Sequence, residues 1–76
     1  MTDFDQELDT SGLNCPMPVM KTRKALRGME SGQVLHLIST DSGTNDDIPG
    51  LVEEIGASIV DSNEDSGTYH IYIKKD

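Results

Sequence analysis

Residues 34–56, VLHLISTDSGTNDDIPGLVEEIG, change from a strand pattern to a helix pattern within a single turn. Val34–Thr40 is rich in branched and apolar residues, which predicts a strand. Asp41-Ser42-Gly43 predicts a turn, because these residue types adopt turn conformations readily. The residues that follow place apolar side chains at i, i+3, i+4 and i+7, which predicts an amphipathic helix: Ile48, Leu51, Val52 and Ile55.

The start of this helix is predicted from its polar residues. Thr44 or Asn45 is expected to cap it, because a side-chain oxygen there accepts an unpaired backbone N–H. Asp46 and Asp47 are expected in the first turn, where the helix dipole favours negative charge. Pro49 is then expected in or near the first turn, because a proline further along would break the helix.

The rest of the chain continues the alternation of strands and helices. Glu7–Thr10 predicts a short strand, and 18–27 predicts a helix that tolerates proline in its first turn. Ser58–Ser62 and Thr68–Lys74 predict two strands joined by a hairpin loop at 63–67. The order β-α-β-α-β-β indicates an α/β (α+β) fold, a two-layer sandwich with a four-stranded mixed sheet and both helices on one face.

The alternation in the last predicted strand places Tyr69, Ile71 and Ile73 on one sheet face and His70 and Tyr72 on the other. A sheet with both helices on one side leaves the second face uncovered. That face is predicted to be either a partner or dimer surface or an ordinary solvent-exposed face, and His36 is a further candidate for it.

Length and composition limit the number of domains and the class of protein. With 76 residues the chain has room for one domain, predicted at 7–76 after a flexible N-terminus at 1–6. Its formal net charge of −8 argues against direct nucleic-acid binding. A single cysteine excludes an internal disulfide and is typical of the reducing cytosol, and no segment is apolar enough for a membrane span. We therefore expect a cytoplasmic protein.

The lone cysteine lies in the segment Cys15-Pro16-Met17-Pro18, directly before the first predicted helix. The positive end of a helix lowers the pKa of a nearby thiol and so favours the reactive thiolate. The prolines stiffen the support of Cys15 and remove two N–H donors, which leaves the amides of Met17 and Val19 to bind a sulfur anion. Four of the six basic residues lie within one stretch of seven positions and are predicted to steer acidic partner surfaces and stabilise such an anion: Lys21, Arg23, Lys24 and Arg27. The alternative is an ordinary solvated helix face.

Several roles are compatible with one thiol. Cys15 could be a small buried hydrophobic residue, as many free cysteines are. A dithiol redox enzyme lacks its second cysteine, and neither a cysteine hydrolase using His36 or His70 nor a zinc site is supported by the spacing. A persulfide carrier needs one accessible thiol and fits best. A non-catalytic binding or regulatory module and a single-cysteine redox sensor remain open as alternatives.

The residues around Cys15 resemble a known family. Gly12-Leu13-x-Cys15-Pro16-x-Pro18-Val19 is similar to the signature of the TusA/SirA-like sulfur carriers, and the resemblance extends from about Glu7 to Lys75. It implies a sulfurtransferase of the relay type with Cys15 as the catalytic residue and Gly12, Leu13, Pro16 and Pro18 as its scaffold.

The resemblance also implies the partners. Sulfane sulfur would come from a cysteine desulfurase or a rhodanese, reside on Cys15 as a covalent persulfide without any other cofactor or metal, and pass to a DsrE-like or other acceptor. The family serves tRNA thiolation, molybdenum cofactor enzymes and dissimilatory sulfur oxidation. Neutral Asn14 and acidic Asp46 stand where close relatives in the tRNA pathway commonly carry basic residues, which makes the chain more similar to members from sulfur-metabolising bacteria.

Overall fold

A computed structural model describes residues 3–14 and 16–76. Its elements follow the order β1 (Gln6–Asp9), α1 (Met17–Arg27), β2 (Val34–Ser39), α2 (Ser42–Ile55), β3 (Ala57–Asp65) and β4 (Thr68–Lys75). The strands form one mixed sheet in the order β1-β2-β4-β3, with β1 parallel to β2 and the other pairs antiparallel. The predicted fold class and element order are confirmed. No helix in the described part of the chain is both long and apolar enough to cross a bilayer.

The core lies between one face of the sheet and the two helices. Leu37 of β2 is directly opposite Leu8 on β1 and Ile71 on β4. These aliphatic side chains form a row across the sheet on the face that the helices cover. α1 contributes Leu26 to this layer, and α2 contributes Ile48, each fully buried. Both helices therefore pack on the same sheet face, as the sequence predicts.

The start of α2 differs from the prediction. Asp41 is the N-cap, and its carboxylate accepts the N–H of Gly43 at 3.2 Å. The predicted cap Thr44 is instead buried inside the first turn. Because the helix begins earlier than expected, Pro49 lies in its interior, where it removes one backbone hydrogen bond. Pro49 is exposed, so the carbonyl that loses this bond is on the side where solvent has access.

β3 is longer than predicted. It extends through residues 63–65, which the sequence assigns to a loop because they are polar. Their partners on β4 run from His70 to Thr68, so backbone pairing continues although the side chains are exposed. The turn is reduced to Ser66 and Gly67, both with positive φ (52° and 86°), the conformation that a two-residue hairpin turn requires.

The beginning of the described chain is in contact with the sheet. β1 begins at Gln6, within the segment 1–6 that was predicted to be flexible. The N–H of Asp5 already donates to the Val34 carbonyl at 2.8 Å, and the Asp5 carboxylate accepts the Val34 N–H at 2.9 Å. The domain boundary at residue 7 stays a prediction.

Candidate functional site

The loop that leads from β1 towards α1 is fixed to the neighbouring strand β2. Thr10 is fully buried, and both its N–H and its hydroxyl donate to the carbonyl of Ile38, at 2.8 and 2.6 Å. The N–H of Leu13 donates back to the Thr10 carbonyl at 3.0 Å, which closes a tight turn. The loop is therefore held at its base by a buried threonine that the sequence reasoning did not single out.

Asp9 and Ser11 stabilise the same turn from its exposed side. The N–H of Ser11 donates to the Asp9 carboxylate at 2.9 Å. Hydrogen bonds from the Ser11 side chain and from its backbone N–H hold the pKa of Asp9 below its ordinary value of 3.8. The conformation of the loop therefore favours the charged carboxylate form of Asp9.

Gly12, a predicted scaffold residue, has a conformation that other residues rarely adopt. Its φ is +82°, and its N–H donates to the hydroxyl of Thr40 at 2.9 Å. A Cβ added at this position would meet no atom within 4 Å, so the requirement for glycine comes from the backbone conformation alone.

We expect Gly12→Ala to lower the free energy of unfolding by about 1 kcal/mol, because an L side chain is strained in the left-handed region. Urea denaturation measures this loss. Gly28→Ala is the matched control, since Gly28 has a φ of −87° and an added Cβ would make only ordinary contacts there. If the two substitutions cost the same, the backbone of Gly12 does not have the role assigned to it.

The first turn of α1 is built around its prolines. Pro16 is the N-cap residue, and its carbonyl accepts the N–H of Met20 at 3.0 Å. Pro18 is buried, and its carbonyl accepts the hydroxyl of buried Thr22 at 2.7 Å. The two predicted scaffold prolines therefore begin the helix and attach its first turn to the core.

One predicted anion donor is occupied. The N–H of Met17 donates to the Asn14 carbonyl at 2.9 Å, so this amide already has a partner within the chain. The prediction that the Met17 amide is left to bind a sulfur anion is therefore wrong, because the Asn14 carbonyl takes up the donor. Cys15 lies outside the described residues, and its accessibility and thiol pKa stay predictions.

The four basic residues of α1 do not share one face. Lys21 and Lys24 line a groove beside β1, whereas Arg23 forms an ion pair with Glu54 of α2 at 2.8 Å. The backbone carbonyl of Arg27 lies 3.4 Å from the ammonium group of Lys75. The spacing within a helix explains this division, because residues two positions apart point in different directions.

The two histidines form a cluster on the sheet face opposite the helices. The His36 Nε2 and His70 Nδ1 atoms are 2.9 Å apart and hydrogen-bonded, and the His36 ring stacks on Tyr72 with centroids 4.4 Å apart. Phe4 packs on His36 from outside at 4.9 Å. His36 and Tyr72 are consequently buried, so this face is neither fully open nor an ordinary polar face. Phe4 was missed because it lies among polar residues.

The second ring nitrogen of His36 is close to a carboxylate without a well-formed hydrogen bond. His36 Nδ1 lies 3.3 Å from Glu7 Oε1, within ion-pair distance, but the angle does not meet the requirements of a hydrogen bond. The sheet separates this cluster from α1. Within residues 3–14 and 16–76 no group of three or more His, Cys, Asp or Glu side chains is arranged to hold a metal ion.

The fold has a solved relative. A SirA-like protein of Desulfitobacterium hafniense superposes with a TM-score of 0.79, covering 92% of this chain and 96% of that one, at 24% sequence identity. The class that the architecture defines is thus the SirA-like α+β sandwich, with a loop and a proline-rich helix start around its single cysteine.

Sequence comparison identifies the family. The family model described as "Sulfurtransferase TusA" matches residues 6–75, so the chain belongs to the TusA family, as the resemblance predicted. A sulfur carrier protein TusA of Allochromatium vinosum is 49% identical over 99% of both chains. One of Pseudomonas putida is 42% identical over 99% of this chain and 96% of that protein. A putative sulfur carrier protein of Halobacterium salinarum is 38% identical over 96% of this chain and 91% of that protein.

Proposed function

We propose that the protein is a sulfur carrier that accepts sulfane sulfur as a persulfide on Cys15 and transfers it to an acceptor protein. The observation that carries the proposal is the place of the only thiol of the chain. Cys15 directly precedes Pro16, the residue that caps α1, within the segment that matches the sulfurtransferase family. The names of the relatives, sulfur carrier protein TusA, support the same role.

The transfer is a thiol–disulfide type exchange. The Cys15 thiolate attacks the outer sulfur of a donor persulfide, the S–S bond of the donor breaks, and the donor leaves as a thiolate. The outer sulfur keeps its proton during the transfer, so Cys15 then carries it as a persulfide (S–SH), which ionises reversibly in water. An acceptor thiolate attacks that sulfur in turn and releases Cys15 as a thiolate, so the relay has no net oxidation or reduction and needs no other cofactor.

The surroundings of residue 15 support this chemistry. The positive end of α1 stabilises an anion near its first turn, although Met17 donates its N–H within the chain. Thr10 and Pro18, both buried, fix the segments on either side of Cys15. A fixed support lowers the entropy lost when a partner thiol approaches. In this scheme Lys21 and Lys24 attract acidic partner surfaces and increase the rate of encounter.

The partners in this scheme are those that the resemblance to the family implies. The donor would be a cysteine desulfurase or a rhodanese, and the acceptor a DsrE-like or other thiol protein, in the cytoplasm and without direct binding of nucleic acid or membrane. The pathway served is one of those implied by the resemblance: tRNA thiolation, molybdenum cofactor supply or dissimilatory sulfur oxidation.

The proposal is tested by weighing the intact protein after incubation with a cysteine desulfurase and cysteine, or with a rhodanese and thiosulfate. We expect the wild type to gain one sulfur atom and Cys15→Ser to gain none. Circular dichroism of Cys15→Ser provides the control for folding. An unchanged mass of the wild type with both donors, or an equal gain by the serine variant, would contradict the carrier role.

A further inference from the structure

The strand β1 has an unpaired side, because it lies at one edge of the sheet. Thr10, directly after β1, directs its N–H towards β2, where it donates to the Ile38 carbonyl. Successive residues of a strand direct their N–H and C=O groups to opposite sides, so Leu8 and Gln6 also face β2, whereas Glu7 and Asp9 direct theirs away from it. This edge therefore offers two residues' hydrogen-bonding groups to an added strand.

A groove of about 450 Å³ runs along this edge between β1 and α1. Its apolar lining consists of Leu8, Ala25 and Leu35. Leu35 is almost fully buried, while Leu8 and Ala25 are half-buried and pack on the edge of the core. The groove thus has a surface on which an apolar side chain of a ligand gains free energy by burial.

The helical wall of the groove is basic. Lys21, Lys24, Ala25 and Gly28 recur at i, i+3, i+4 and i+7, so they form one face of α1 beside β1. This face spans about 10 Å of helix, the length of about three residues of an extended chain. Glu7 also lines the groove, and its carboxylate lies beside His36.

We propose that this groove binds an extended, acidic segment of a partner protein, which adds to β1 as a fifth strand. The free edge recognises the backbone of the segment, the aliphatic lining takes an apolar side chain, and Lys21 and Lys24 pair with its carboxylates. The charges favour an acidic occupant, because two exposed lysines line this groove although the chain as a whole carries a net charge of −8.

The position of the groove connects it with the relay. Lys21 lies one helical turn after Met17, so a segment bound there holds its protein beside the start of α1. The inference rests on the proposed carrier function for its biological meaning, since a carrier has to dock a donor and an acceptor. Binding itself involves no sulfur, so the test below can fail while the sulfur-loading experiment succeeds, and the reverse.

The test uses the blocked hexapeptide Glu-Thr-Val-Thr-Glu-Thr as the probe, because in a strand it places both glutamates and the valine on one face. The peptide is added to the ¹⁵N-labelled protein under reducing conditions. We expect saturation with the peptide to slow amide hydrogen exchange at Glu7 and Asp9 by at least about tenfold, because strand addition pairs these groups. The N–H of Leu8 points to β2 and should not change. The Cys15→Ser protein should give the same result.

Two controls separate strand addition from general attraction. The same peptide with lysine in place of glutamate should not bind, and an N-methylated form of the probe, which cannot form the backbone hydrogen bonds, should not slow exchange. Lys24→Glu should weaken binding about tenfold, since it places like charges together. Lys74→Glu, which makes the same charge change at an exposed position on β4 outside the groove, should have little effect.

Four results would each overturn the inference. They are unchanged exchange at Glu7 and Asp9 with millimolar peptide, equal weakening by Lys24→Glu and Lys74→Glu, protection of this edge by a second copy of the chain in concentrated protein without peptide, and displacement of the peptide by a single-stranded oligonucleotide. The third would assign the groove to self-association, and the fourth to a nucleic acid.

Discussion

Leu37→Ala is expected to lower the free energy of unfolding by about 2–5 kcal/mol, the cost of removing a fully buried leucine side chain. Leu37 has no exposed surface and lies in the row that joins β1, β2 and β4 under the helices. A domain of 76 residues has a total stability of about 4–11 kcal/mol, so this one change removes a large part of it. Urea denaturation followed by circular dichroism measures the loss.

The control for this prediction is Ile59→Ala. Ile59 is also an aliphatic strand residue, and it is opposite core residue Ile73, but 37% of it remains exposed. We expect a loss of less than about 1 kcal/mol. Similar losses for Leu37→Ala and Ile59→Ala would show that the centre of the core lies elsewhere.

His36→Ala is expected to cost about 2–3 kcal/mol of stability, a large effect for a histidine outside the hydrophobic core. The His36 ring is buried between Tyr72 and Phe4, and it is hydrogen-bonded to His70. Its removal leaves a cavity under Phe4 and an imidazole without its partner. Thermal unfolding and urea denaturation measure the effect.

A double-mutant cycle shows whether the N-terminal segment contributes to this cluster. Phe4→Ala and His36→Ala should be coupled by about 0.5–1.5 kcal/mol, the range measured for aromatic pairs in contact. His70→Ala, at a half-buried position where water reaches the side chain, should cost about 1 kcal/mol or less. Strictly additive losses for Phe4 and His36 would mean that Phe4 does not pack on the sheet in solution.

The fold was predictable where periodicity is strong and less so where pairing is set by the backbone. Ile48, Leu51 and Val52 gave α2 its correct face, because amphipathic spacing reports burial directly. The predicted start of α2 was wrong because several polar residues in this segment can cap a helix, and only the structure shows that Asp41 is the N-cap. Residues 63–65 looked like a loop because their side chains stay exposed, although their backbone pairs with β4.

The candidate site was predictable in part. The prolines and Gly12 have structural roles that follow from their own chemistry, so the sequence indicates them. The contacts of Thr10 with Ile38 and of Gly12 with Thr40 each join residues 28 positions apart. No local pattern identifies such pairs. The division of the basic residues also required the structure, because Arg23 turns to α2 only once both helices are packed on the sheet.

Lys75 links the helix after Cys15 to the last strand. Its ammonium group donates to the Met29 carbonyl at 2.8 Å and lies 3.4 Å from the carbonyl of Arg27, at the negative end of α1. Because Lys75 follows Arg27 by 48 residues, the first helix acquires this cation only after the ribosome has made β4. The segment that contains Cys15 is made early in translation, but the helix that follows it is fully supported only when β4 has emerged from the exit tunnel.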